Sequence, residues 1–350
     1  MLVGEALAAR NVDVTLVLVR DEAHRPSTSL STVSLGARDP FGATRRLARL
    51  CRERRPTAVL ATLVATNAIA VAAARLLPRA RRPRVVVREA NTLPLAFGYR
   101  PVAERIVASL VARVAYPRAD AVVAVSEDAA GALARFLGLP RSRVHAIPNP
   151  AWAPPPEKHA SLTHPFARGT NPLVVAAGRL VPKKGFDVLL RALAPLADAR
   201  LVILGEGPER RRLESLAREL GMTERVALVG FVDDPFPWFA RADLFVLSSY
   251  AEGMPNVLLQ AIASGCPVVS TDCPSGPREI LGDDAPFLVA PGDPIALRDA
   301  IARALAIPRS ALAARSAARA GRFGLARVAS AYAEVLGLDA APPSVSSSTT

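Results

Sequence analysis

Two of the chain's three lysines, Lys183 and Lys184, are adjacent, and they follow Gly178 and Arg179 in the stretch AAGRLVPKKGFDVLLRAL (176–193). The same chain holds 41 arginines, so the place where lysine survives is informative. The apolar run before Gly178 has strand character, and helical spacing begins at Phe186. A glycine at 178 lets backbone pass close to a ligand, and Arg179 with one of the lysines could clamp a diphosphate. The plainer alternative is surface charge with no ligand.

A second stretch, LFVLSSYAEGMPNVLLQAIASGCPVVST (244–271), could meet the first at one sheet edge. Leu244 to Leu247 reads as a buried strand, and the loop after it carries Glu252. Pro255 suits the first turn of a helix, Asn256 to Ala263 keep helical spacing, Gly265 ends it, and Val268 starts another strand. In a parallel sheet this loop lies at the carboxyl edge, where ligands of open α/β sheets bind. Backbone N–H groups of Met254, Asn256 and Val257 would crown a helix N-terminus suited to an anion. Gln260 falls one turn beyond Asn256 on the same face. An ordinary βα loop with an exposed acid remains open at this point.

Length and composition set the frame. The chain has 350 residues, 51% of them hydrophobic and only 5% aromatic, enough for about two domains packed on Ala, Val and Leu. Cys51, Cys266 and Cys273 are too few and scattered for a disulfide framework, and His24, His145, His159 and His164 form no metal-ligand pattern. No D-x-D motif occurs. The net charge of +13 is uneven: residues 1–150 carry 23 arginines against 11 acids, +12, and the rest only +1. A face this basic suits an acidic partner such as an anionic membrane surface or a polyanionic acceptor. Nucleic acid is not expected, because interleaved aromatics and reader motifs are lacking.

The start, MLVGEALAAR, lacks a signal-peptide pattern, and residues 57–77 read as a strand and a helix capped near Thr66 or Asn67, not a membrane span. The expected location is cytoplasmic, peripheral at the inner face of the plasma membrane. Strands and helices alternate through 1–150, a Pro-rich linker follows over 151–172, and alternation resumes over 173–321. An Ala-rich helical tail comes next, and the last residues, 339–350, have the composition of a disordered tail. The fold class is α/β: two Rossmann-like domains with a cleft between them as the default active site.

GRLVPKKGFD, then SYAEGMPNVLLQAIASGCPVVST and PSGPREIL (274–281), together closely resemble the retaining glycosyltransferases of family 4. VILGEGPERRRLE (202–214), VALVGFVDD (226–234) and RADLFVLSS (241–249) lie between them in the family's order, and YPRADAVVAVSEDAAGALARFLGLPRSRVHAIPNP (116–150) is similar to the family's first domain. The resemblance covers about residues 5–335. It implies a GT-B fold, with a nucleotide-sugar donor on the second domain and an acceptor on the first. A helix over 322–338 would return to brace the first domain. Arg179 and Lys184 would hold the donor diphosphate, and Glu252 the sugar hydroxyls. Gly178, Phe231 and Gly253 through Val257 would complete the donor site, with no metal or other cofactor. By the same resemblance the reaction retains anomeric configuration, the donor is a UDP-sugar with GDP-mannose still open, and the acceptor is a lipid-linked or cell-envelope glycan.

Three departures from the family pattern bear on function. The second acid of its Glu-x7-Glu pattern is replaced by Gln260, which can still hydrogen-bond a ribose. Ala90 stands where a histidine often follows the first-domain acid, leaving Glu89 or Asn91 to serve the acceptor side. The chain opens on a helix where the family has a strand and a glycine-rich loop, which points to a mis-set start or a shortened protein. An inactive nucleotide-sugar-binding protein and a UDP-sugar 2-epimerase on the same fold are the alternative readings.

Overall fold

The computed structural model describes residues 1–20, 28–90, 102–154, 166, 171–282 and 285–338, and it divides into two compact units. Unit 1 comprises Met1–Pro150 and Leu325–Thr350, and unit 2 comprises Ala151–Gly324. Most of the Pro-rich linker (155–165 and 167–170), Asn91 and the tail 339–350 lie outside the described residues.

Unit 1 runs α1 (Leu2–Ala8), β1 (Thr15–Leu18), β2 (Ser31–Ser34), α2 (Pro40–Arg54), β3 (Ala58–Thr62), α3 (Val64–Arg75), β4 (Arg84–Glu89), α4 (Val102–Ala115), β5 (Ala121–Ala124), α5 (Glu127–Leu137) and β6 (Val144–Ala146). Strands β3, β4, β5 and β6 form a parallel sheet in that order, and β1 pairs with β2 in a separate parallel sheet. Side-chain alternation sorts the strands' neighbours. Val85, Val87, Val122 and Ala124 pack against α2, α3, α4 and α5, while Val86, Ala121 and Val123 pack against α1 and the chain's last helix. Local signals explain the helix ends. Asp39 accepts from Gly42 N ahead of Pro40, Ser126 accepts from Ala129 N, and Gly138 closes α5 at φ 66°.

Helix α3 begins at Val64, earlier than the cap expected near Thr66 or Asn67. Both side chains are otherwise engaged. The Thr66 hydroxyl donates back to Leu63 O (3.0 Å), and the fully buried Asn67 amide donates to Arg88 O (3.0 Å) and to Tyr116 Oη (2.8 Å).

Unit 2 runs β7 (Leu173–Ala177), α6 (Phe186–Leu193), β8 (Arg200–Leu204), α7 (Arg210–Glu219), β9 (Val226–Gly230), α8 (Phe236–Arg241), β10 (Leu244–Leu247), α9 (Asn256–Ala263), β11 (Val268–Thr271), α10 (Pro277–Leu281), β12 (Leu288–Val289), α11 (Pro294–Leu305) and α12 (Arg309–Arg322). The strand order is β12-β11-β10-β7-β8-β9, and every pairing is parallel. β7, β10 and β11 are buried along their whole length, as expected of strands covered on both faces. Two Ala-rich helices close the described chain. The first, α12, stops at Phe323–Gly324, where Gly324 bridges Ala151. The second, α13 (Leu325–Leu336), belongs to unit 1. There it buries Val328, Tyr332 and Leu336, and Arg10 donates to Ser330 Oγ and to Ala326 O, both at 2.8 Å.

Just past the carboxyl ends of the paired strands β7 and β8, two glycines pack backbone to backbone. Gly205 has φ +141°, and a Cβ there would sit 2.0 Å from Gly178 O. Backbone carbonyls cannot move aside cheaply in a buried sheet, so Gly205→Ala is expected to destabilise unit 2 by about 2–4 kcal/mol, read as a lowered denaturant midpoint.

Candidate functional site

The strand order of unit 2 reverses at β7: β8 follows it on one side, whereas β10 lies on the other. That reversal opens a crevice at the carboxyl ends of β7 and β10, the place where open parallel sheets bind ligands. Both sequence stretches with candidate chemistry end there. The chain leaves β7 through Gly178 (φ +155°), exposed Arg179 and a single 3-10 turn over Pro182–Lys184. Gly185 (φ +61°) then starts α6, and its missing Cβ admits Ser248 O, which a Cβ would approach to 2.2 Å. Two hydrogen bonds fasten the loops together: Ser248 Oγ donates to Lys184 O (2.9 Å), and Tyr250 N donates to Lys183 O (2.8 Å).

These fastenings bring one cation onto one anion. Lys184 Nζ lies 2.6 Å from Glu252 Oε1, with 14% and 9% of the two side chains exposed. Ser249 Oγ donates to the same carboxylate oxygen at 2.6 Å, and Thr271 Oγ1 holds the Ser249 carbonyl at 2.6 Å. The Lys184 stem runs past Gly178, where a Cβ would lie 3.2 Å from Lys184 Cε. After Glu252, Gly253, Met254 and Pro255 are buried, Asn256 is exposed, and Val257 and Gln260 are half-buried on α9. Pro255 stands at the N-cap and brings no side-chain cap to the first turn of α9. Gly276 (φ +92°) presses on this loop, since a Cβ there would lie 2.8 Å from Pro255 Cδ and 2.9 Å from Gly253 O.

The structure thus brings Lys184, Glu252 and the 253–257 turn together at the edge that also bears Arg179. Phe231 follows β9 at the same edge and is 75% exposed. Glu89 lies in unit 1 at the end of β4, only 2% exposed, with its Oε2 accepting from Tyr116 Oη at 2.7 Å. Burial, and then the charge of Glu89, push the Tyr116 phenol far above its ordinary range. Among the described residues no group of three or more His, Cys, Asp or Glu is placed to hold a metal ion.

A family model described as Glycosyltransferase Family 4 matches residues 2–151, and one described as Glycosyl transferases group 1 matches residues 171–306. The chain belongs to glycosyltransferase family 4. One relative, the Campylobacter jejuni N-acetylgalactosamine-N,N'-diacetylbacillosaminyl-diphospho-undecaprenol 4-alpha-N-acetylgalactosaminyltransferase, is 43% identical over 112 residues, 32% of this chain and 31% of its own. The lipopolysaccharide core biosynthesis glycosyltransferase LpsE of Rhizobium meliloti is 37% identical over 171 residues, 47% of this chain and 49% of its own. The matches therefore span between 31% and 49% of the length of these two relatives. Sucrose-phosphate synthase from Thermosynechococcus elongatus superposes with a TM-score of 0.79 at 21% identity, covering 95% of this chain and 90% of its own. Anabaena HepE in complex with UDP-glucose superposes with a TM-score of 0.74 at 20% identity, covering 96% and 95%. Fold and family agree: this is a GT-B protein built of two Rossmann-like domains.

Sequence reasoning missed two members of this cluster. Ser249 and Thr271 contribute no charge, yet Ser249 is fully buried and orients Glu252. Its signal is a hydroxyl at a strand end, three residues before an acid. A further neighbour is Cys273, whose thiol is pushed up to about 12 by burial and then by the charge of Glu252. Burial raises the Cys266 thiol to about 12 as well, and raises that of Cys51. All three remain protonated thiols at pH 8, so a thiol reagent is expected to label the native chain slowly and all three rapidly after unfolding.

The ion pair has its own test. Lys184→Met and Glu252→Gln, alone and combined, form a double-mutant cycle for which a coupling of about 1–3 kcal/mol is expected from denaturant unfolding. A coupling near zero would mean that the two groups do not meet in solution.

Proposed function

We propose that the chain is a metal-independent, retaining glycosyltransferase that moves a sugar from a UDP-sugar to a lipid-linked or cell-envelope glycan acceptor. The observation that carries this reading is the Lys184–Glu252 pair at the β7/β10 crevice, within a family 4 chain. When the bond between the sugar C1 and the phosphate oxygen breaks, the electron pair leaves with the diphosphate. Arg179, Lys184 and the N–H groups of the 253–257 turn are the groups to meet that charge, already positioned before it develops. Glu252 takes hydrogen bonds from the sugar hydroxyls, Gln260 meets the ribose, and Phe231 lines the donor site. The acceptor hydroxyl attacks C1 from the face the diphosphate leaves, and its proton passes to the departing phosphate oxygen. Glu252 is assigned to binding and not to a covalent intermediate, because its carboxylate is committed to Lys184 and Ser249.

The names of similar proteins support the choice of substrates. HepE was solved with UDP-glucose, and the Campylobacter relative is named for a diphospho-undecaprenol acceptor. The basic first half, +12 over residues 1–150, suits work beside an anionic membrane, with Glu89 and Asn91 on the acceptor side. No helix among the described residues is long and apolar enough to cross a membrane.

Thermal unfolding with UDP and with GDP tests the donor assignment. A nucleotide at 100 times its dissociation constant adds about 2.7 kcal/mol, a rise of about 5–10 °C for domains of this size. UDP is expected to give this rise and GDP much less, and Lys184→Ala is expected to abolish it. An equal rise with Lys184→Ala would overturn the diphosphate role of Lys184. Nucleotide binding without release of UDP from any UDP-sugar would favour the inactive binding protein.

A further inference from the structure

The turn after β8 carries an acid and a base that the donor assignment leaves unused. It is fastened to the Arg179 loop, since Leu180 N donates to Glu206 O at 2.9 Å. The Glu206 carboxylate accepts from Arg210 Nε at 2.9 Å and, through its other oxygen, from Arg210 Nη2. The pair stays open to solvent, with 52% of the Glu206 side chain and 28% of the Arg210 side chain exposed. Both groups stand over Gly230, the last residue of β9. A Cβ there would lie 3.2 Å from Glu206 Oε1 and 3.8 Å from Arg210 Nη2. Phe231 comes next, its ring exposed. A carboxylate, a guanidinium and an aromatic face thus meet at one strand end, and glycine leaves the space above that end clear.

Each polar group has one hydrogen bond left to give or take. Arg210 has five N–H donors. Two go to Glu206, and Nη1 donates to Glu214 Oε1 (3.0 Å) and to Leu228 O (3.1 Å), so the donor without a partner among the described residues is on Nη2. A carboxylate accepts about four hydrogen bonds, and Arg210 and the Gly207 N–H supply three to Glu206. The hydrogen bonds and charge of Arg210 hold the Glu206 carboxyl below its usual range, so it is an anion at neutral pH. One acceptor beside one donor matches an imide edge, where an N–H adjoins a carbonyl.

The position suits the base of the donor. Glu252 and the 253–257 turn occupy the β10 side of the crevice, so a nucleotide held at Arg179 and Lys184 extends towards β8 and β9. With strands about 4.8 Å apart, β9 is about 10 Å from β7, within reach of a nucleoside diphosphate. Uracil has an imide edge. Cytosine would turn its N3 lone pair to the carboxylate and its amino group to the guanidinium, which sets like against like.

We propose that Glu206 and Arg210 select uracil as the donor base, the carboxylate accepting from N3–H and Nη2 donating to the adjoining carbonyl, with Phe231 against the ring. The inference deepens the UDP-sugar reading and rests on it. The test is titration calorimetry of the full chain with UDP and with CDP, which differ only at this edge. Wild type, Glu206→Gln and Glu206→Ala are compared. Wild type is expected to bind UDP at least about tenfold more tightly than CDP, the worth of a hydrogen bond to a charged group. Glutamine offers a donor beside its acceptor and can face either base, so Glu206→Gln is expected to bring the ratio near one. Glu206→Ala is expected to weaken UDP about tenfold and CDP little.

A preference for UDP that survives both substitutions would overturn the base assignment and leave the donor site standing. Equal affinities in wild type would do the same. Equal weakening of UDP and CDP by both variants would reduce the Glu206–Arg210 pair to a brace for the turn. Wild type that binds neither nucleotide would overturn the UDP-sugar reading itself, and this inference with it.

Discussion

A lysine that is mostly withdrawn from water needs a counter-charge, and the β7/β10 crevice is built around meeting that need. Lys184 is 14% exposed and Glu252 9%, so removing Glu252 would take the counter-charge from a nearly buried ammonium. The pair holds only because two loops from different strands are fixed to one another. Ser248 and Tyr250 reach back to the carbonyls of Lys184 and Lys183, and Ser249 locks the carboxylate. Glycine makes the approach possible, since Ser248 O occupies the space where a Cβ on Gly185 would be. The strand reversal at β7 then decides that this close approach opens into a crevice instead of into another helix.

The proposed chemistry follows from the same constraint. An ion pair fixed by its own loops is a store of oriented charge. A diphosphate entering the crevice would give the ammonium a stronger partner, and the sugar hydroxyls would give the carboxylate donors in return. No large reorganisation is needed, which is the condition under which fixed charges lower a barrier effectively. Arg179 is exposed at the lip of the crevice and completes the cationic side.

The sequence made the charged and conformationally special residues of the site legible. Lys184 was conspicuous in a lysine-poor chain, Gly178 and Gly185 bracketed a turn, and Pro255 began a helix, each for a reason that acts locally. Direct pairing of Lys184 with Glu252 was not legible, because the two residues are 68 apart in sequence and meet only through the order of their strands. Ser249 and Thr271 were missed because a serine or threonine at a strand end is common, and only tertiary contact gives it a role. The fold showed the same division. Buried parallel strands appeared as continuous apolar runs, whereas β2 was overlooked in the polar stretch STVS, and α8 in FPWFAR, whose prolines and aromatics hide helical spacing. The helix expected over 322–338 runs from Leu325 to Leu336, and the chain breaks just before it at Gly324, which bridges Ala151.

The most direct test of the donor assignment is a crystal structure of the chain with UDP bound. The account predicts the diphosphate at the carboxyl ends of β7 and β10, within hydrogen-bond distance of Lys184 Nζ and of N–H groups in the 253–257 turn. UDP bound elsewhere in the chain, with Lys184 still closed on Glu252, would contradict it.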